Sequence, residues 1–137
     1  SRERAVIQQL ETAVQAMRWL EAWQPRLSGP HVDDLASELS PVQIHLFSDD
    51  LDAPLRFLMD RKVPYEMGQK RIRWYDDSMY DQPTVSFEAG EQRVELWLFT
   101  LDGLRQAPPS PVDGRPRGRL DIRGVENLIN EHQRRIR

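Results

Sequence analysis

Gln43, His45 and Glu95 combine residue type with spacing in a way that points to chemistry. The first two lie two apart in Val42-Gln43-Ile44-His45-Leu46-Phe47, and the third lies in Arg93-Val94-Glu95-Leu96-Trp97-Leu98-Phe99-Thr100. Both runs read as strands, whose side chains alternate between faces. Val42, Ile44 and Leu46 then make one wholly apolar face, while Gln43, His45 and Phe47 share the other. By the same rule Glu95, Trp97 and Phe99 oppose Val94, Leu96 and Leu98. A lone carboxylate in so apolar a strand needs a partner or solvent, and Arg93 or an arginine from the C-terminal tail is the expected partner. An imidazole is a metal-ligand type suited to Mn²⁺ or Zn²⁺. A histidine packed and hydrogen-bonded inside the sheet is the other reading of the same letters.

Two further groups bear chemistry. Arg115, Arg117 and Arg119 follow a Pro-rich run and are placed to reach phosphate or carboxylate. In Lys70-Arg71-Ile72-Arg73-Trp74-Tyr75, cations beside aromatics suit single-stranded nucleic acid, and equally suit an antiparallel strand with one wet face. The aspartates at 49, 50 and 52 lack the glycine and glutamate of an EF-hand loop and read as helix-start residues.

The elements that must position these groups follow from periodicity. Val6, Leu10, Ala13, Met17 and Leu20 predict an amphipathic helix over 4–23, ended at Gln24-Pro25. Trp19 and Trp23 form a side stripe, for packing or for a partner helix. Ser28-Gly29-Pro30 reads as a turn, and Val32 and Leu35 as a short strand or helical turn. Asp52 and Pro54 start a helix to Lys62, with Asp52 as N-cap. Tyr65-Glu66-Met67, Gln69 to Trp74, Pro83 to Glu88 and Arg93 to Thr100 form a meander, with turns at Gly68, Asp76-Asp77-Ser78 and Ala89-Gly90. Four prolines keep 104–119 extended as a strap, and Asp121 caps a last helix to 135 that buries Val125, Leu128, Ile129 and His132.

The chain length corresponds to one domain, residues 1–137, with a sheet-and-helix core over 29–101. Without cysteine, there are no disulfides, thiolate nucleophiles or Cys-built zinc sites. No apolar run approaches the roughly 20 residues of a membrane span, so the expected address is cytoplasmic and no membrane partner is expected. The net charge of −3 gives no general pull towards nucleic acid, yet it is unevenly distributed. Seven acids face Arg56 alone between 33 and 60, whereas seven arginines fall between 115 and 137. The chain enters a helical pattern directly at Ser1, which reads as a domain cut from a longer protein.

Ser40 through Asp49, Val94 through Phe99, and Leu104 through Pro116, above all Pro-Ser-Pro-Val-Asp-Gly-Arg-Pro, resemble a family of small uncharacterised bacterial proteins related to the nucleotidyltransferase fold. Some of its members carry the label UDP-N-acetylmuramate–alanine ligase, an activity that requires a Gly-rich phosphate loop. The resemblance implies an α+β (α/β) fold: a nucleotidyltransferase-like mixed sheet flanked by helices, with long N- and C-terminal helices. In active members three carboxylates hold two metal ions for nucleotidyl transfer. The resemblance places those catalytic positions at Gln43, His45 and Glu95, of which only Glu95 is an acid. A phosphate-binding Gly-Ser pair upstream is replaced by Asp33-Asp34-Leu35-Ala36-Ser37.

The expectation is therefore a catalytically degenerate domain, a pseudoenzyme acting by binding nucleotide, RNA or protein. Arg115, Arg117 and Arg119 would provide cofactor-binding phosphate contacts. One alternative is an active enzyme using Mg²⁺ or Mn²⁺, with an atypical one-metal site at His45 and Glu95, joined by Asp49 or Asp50, that would bind Mn²⁺ or Zn²⁺. The other is an adaptor that meets a protein partner through its N-terminal helix.

Overall fold

The computed structural model describes residues 1–136, in which helix α1 (Arg2–Trp19) packs against a mixed five-stranded sheet. The strands are β1 (Arg26–Ser28), β2 (Val42–Phe47), β3 (Glu66–Arg73), β4 (Met79–Ala89) and β5 (Gln92–Phe99), in spatial order β1-β2-β5-β4-β3. Helices α2 (Ala53–Asp60) and α3 (Ile122–Arg135) complete the regular elements. The chain is thus a mixed α/β architecture with helices flanking a five-stranded sheet.

Alternation along β2 and β5 creates two distinct faces. Val42, Ile44, Leu46, Val94, Leu96 and Leu98 join Leu10, Ala13, Met17 and Leu20 of the first helical segment in one buried cluster. Each fully buried large aliphatic side chain contributes on the order of 1.5–3 kcal/mol, so this layer supplies most of the cohesion. On the opposite face Phe47, Ile72, Trp97 and Phe99 form a second, aromatic cluster with Tyr80 beside it.

The expected helix over 4–23 stops at Trp19, and Glu21–Trp23 forms a 3-10 turn instead. Trp19 and Trp23 both set their rings edge-on to Phe57 of α2, at 4.8 and 5.1 Å, which gives this side stripe a packing role. Asp121 caps α3 as its position implied, accepting from the Gly124 amide at 2.9 Å. Asp52 does not cap α2 with its side chain; Asp50 accepts from the Asp52 amide instead, at 3.1 Å.

Gly68 does not turn the chain. It lies inside β3, opposite Thr84, where a Cβ would approach the Thr84 hydroxyl to 3.0 Å. Pro83 is also inside a strand, although proline cannot donate to a ladder. Thr84 pairs with Trp97, so Pro83 stands across from Leu98, and the Gln82 side chain supplies the missing donor by reaching the Leu98 carbonyl at 2.6 Å. Ser28, expected in a turn with Gly29 and Pro30, instead ends the edge strand Arg26–Ser28, which pairs with β2.

The Pro-rich segment crosses the face of the sheet opposite the helices. It is pinned by Tyr75, whose hydroxyl donates to the Ala107 carbonyl at 2.6 Å. It folds into a short hairpin, with Pro109 facing Pro116 and the Ser110 amide donating to Arg115. It leaves along β1, where Leu27 and Leu120 exchange backbone hydrogen bonds of 2.8 and 2.9 Å. Among the described residues no helix is long and apolar enough to cross a membrane.

Candidate functional site

Parallel pairing of β2 with β5 sets Gln43 beside Glu95, His45 beside Trp97 and Phe47 beside Phe99. The three positions singled out from sequence therefore share one face of neighbouring strands, beneath the strap. All three are buried, and His45 has no exposed surface.

The strap brings Arg119 onto this face. Its Nε donates to Nδ1 of His45 at 3.0 Å, and its Nη1 donates to the Gly103 carbonyl at 2.7 Å. A guanidinium has only donors, so Nδ1 must carry a lone pair. The proton is then on Nε2, which donates to Oε1 of Gln43 at 2.9 Å. Burial pushes the His45 pKa well below the ordinary imidazole value, and the charges of Arg119 and Arg117 act in the same direction. The imidazole is neutral, fixed in one tautomer, and has no lone pair left.

Aromatic contacts complete the enclosure. His45 stacks on Trp97 with centroids 5.0 Å apart, and the Arg119 guanidinium lies 4.8 Å from the Phe47 ring centre and 4.9 Å from that of Phe99. Burial lowers the pKa of Arg119 to about 10, which still leaves it cationic at neutral pH. Gly103 permits the close approach of its own carbonyl, because a Cβ there would meet the Phe99 Cβ at 2.8 Å.

Glu95 is paired differently from the sequence expectation. Arg93 points its charge towards Glu66 and Glu88, and among the described residues no tail arginine forms a salt bridge with Glu95. The partner of Glu95 Oε1 is the Trp97 indole N–H at 2.7 Å, and Oε2 faces Lys70 Nζ at 3.4 Å. A tryptophan two residues along the same strand carries no sequence signal as a carboxylate partner, since only burial removes the competing water.

These donors do not fit a metal. Gln43 is a neutral amide whose oxygen already accepts a hydrogen bond, His45 has both nitrogens engaged, and both Glu95 oxygens are occupied. A divalent ion at His45 would also meet a guanidinium within hydrogen-bond distance. Among the described residues no group of three His, Cys, Asp or Glu side chains is placed to hold a metal ion. Asp49 accepts from the Leu101 amide at 3.2 Å, and Asp50 pairs with Arg56, so neither completes a His45 site. The expected metal site at His45 and Glu95 is replaced by a hydrogen-bonded network.

The three strap arginines separate. Arg115 is exposed on the strap hairpin, and its backbone there is held by Asp113 and Ser110. Arg119 is the clamp on His45. Arg117 lies over Trp97, 5.0 Å from the ring centre, and burial lowers its pKa. Neither Arg117 nor Arg119 has a carboxylate partner among the described residues, and Arg117 Nε and Arg119 Nη2 are buried without a hydrogen-bond acceptor. Orphaned buried donors on cations are costly.

No family model, curated protein or solved structure matches this chain.

Proposed function

We propose that this chain is a nucleotidyltransferase-like domain whose acid positions have become structural, and that it acts by binding an anionic ligand rather than by nucleotidyl transfer. The Arg119–His45 hydrogen bond carries this reading. It puts a permanent cation against the side chain at a position where an active member needs a metal-binding carboxylate. The mixed sheet, with its parallel β2–β5 pair holding Gln43, His45 and Glu95, is compatible with the resemblance in the strand sequences. The half-buried, unpaired guanidinium groups of the strap support binding over catalysis, because catalysis by two metals requires anionic ligands in their place.

The test pairs calorimetry with a transfer assay. Mn²⁺ is titrated into the protein with and without ATP, CTP, GTP and UTP, and nucleotidyl transfer is followed with labelled triphosphates. The expected result is no metal-dependent turnover, with any nucleotide affinity independent of Mn²⁺. Turnover that requires metal and disappears in Glu95→Ala would overturn the reading.

A further inference from the structure

A cleft of about 510 Å³ separates the tip of the β3–β4 hairpin from the strap. Arg71, Arg73, Trp74 and Tyr75 line it from the hairpin, and Ser110 and Arg117 line it from the strap. Its size suits one nucleotide, since small-molecule sites run from roughly 300 to 1,000 Å³. Two chemistries meet across it: three guanidinium groups, and an aromatic pair, Trp74 and Tyr75, with centroids 5.0 Å apart.

The cations are available. Arg117 has no carboxylate partner among the described residues, and its Nε is buried without an acceptor. Stacking on Trp97 fixes it in place. Arg71 and Arg73 pair with Asp81 at 3.1 Å and Asp77 at 3.9 Å, but both arginine side chains are more than 60% exposed. Such exposed pairs are weak and exchange readily for a phosphate. Asp77 also lines the cleft and opposes a ligand of high negative charge, which favours a single phosphate or phosphodiester over a triphosphate.

We propose that this cleft binds a nucleotide unit, with its phosphate on Arg117 and its base stacked on the Trp74 ring, which Tyr75 braces edge-on at an interplanar angle of 83°, taken as a free nucleoside monophosphate or as one unit of a single strand. The proposal names the ligand class of the binding role argued above and rests on that reading. Base stacking on an aromatic ring tolerates any base, so the site recognises the nucleotide without reading a sequence.

The test is fluorescence anisotropy of a fluorescein-labelled ten-nucleotide oligouridine at two salt concentrations. Competitors are UMP, inorganic phosphate and duplex RNA. Binding is expected to weaken with salt, and Trp74→Ala and Arg73→Ala, both on the outer hairpin wall, are each expected to weaken it about tenfold. Arg117→Gln should do the same, with thermal melting confirming that it folds. Competition by UMP at concentrations comparable to the oligonucleotide identifies a free nucleotide as the source; competition only by the oligonucleotide identifies a single strand. Displacement by inorganic phosphate as effective as by UMP would overturn the base contact. Unchanged affinity in Trp74→Ala and Arg73→Ala, or no binding of either nucleotide form, would overturn the site. Failure of the non-catalytic reading appears separately, as metal-dependent transfer that survives Trp74→Ala.

Discussion

Arg119 donates to His45 across 74 residues of chain. The bond joins the strap to β2, inside the sheet between β1 and β5, and fixes the tautomer of the buried imidazole.

Replacing Arg119 tests this clamp. Arg119→Met removes the donor to His45 and to Gly103, leaving two buried acceptors unpaired, and should destabilise the protein by about 2–4 kcal/mol. Arg119→Lys should recover little, since an ammonium cannot serve both acceptors while lying flat on Phe47 and Phe99. Urea unfolding of the three proteins measures both effects.

Glu95 and Trp97 offer a finer comparison. Glu95→Gln keeps an oxygen for the indole N–H and should cost under about 1 kcal/mol, whereas Glu95→Ala leaves that N–H buried and unpaired at about 1–3 kcal/mol. Lys70→Ala removes only a half-exposed partner and should fall within about 1 kcal/mol of the parent. A double-mutant cycle between Glu95 and Trp97, read by urea midpoints, isolates the hydrogen bond. Equal stability of Glu95→Gln and Glu95→Ala would refute the pairing.

Acid sensitivity should begin well above the carboxylate range. His31 is buried with Nε2 donating to Gln9 Oε1 at 2.7 Å, since Gln9 Nε2 is already spent on the carbonyls of Ser37 and Glu38. Burial, aided by His132, lowers the His31 pKa from 6.5 to about 4, and burial depresses His45 as well. Below pH 6.5 the unfolded chain binds protons at both positions that the folded chain refuses, so stability falls as pH drops. His31 alone accounts for up to about 3 kcal/mol between its unfolded and folded values. Glu3, held below its ordinary value by its hydrogen bond to His132, adds its loss only below about 4.5. Urea midpoints at pH 7.5, 6.0 and 5.0 should decline stepwise, and ¹⁵N spectra at pH 7.5 should show His45 as the neutral Nε2–H form.

Gln82 should be expensive to remove for a residue on a polar strand. Gln82→Ala leaves the Leu98 carbonyl without a donor, because Pro83 has no N–H to offer, at an expected cost of about 1–3 kcal/mol. In Gln82→Ala/Pro83→Thr the new backbone N–H should restore part of the loss, as measured by thermal unfolding.

Much of the secondary structure was legible in the sequence. The periodic apolar residues of α1, the alternation of β2 and β5 and the Asp121 cap are all local patterns, and each appears where those patterns put it. The 3-10 turn at Glu21–Trp23, the passage of β3 through Gly68 and the edge strand at Arg26–Ser28 were not legible. Each depends on a neighbouring segment: α2 receiving the tryptophans, Thr84 opposite the glycine, and β2 alongside the edge.

The candidate site divides in the same way. Strand alternation alone put Gln43, His45 and Phe47 on one face and Glu95, Trp97 and Phe99 on another, and composition alone marked Arg115, Arg117 and Arg119 as cations in search of an anion. The tertiary structure decided that those two faces are the same surface, that Arg119 would clamp His45 while Arg115 stayed at the hairpin, and that Glu95 would choose an indole over an arginine. Alternation is a property of a few bonded residues and is written locally. Partner choice depends on which groups burial deprives of water, and burial exists only after β2, β5 and the strap have come together.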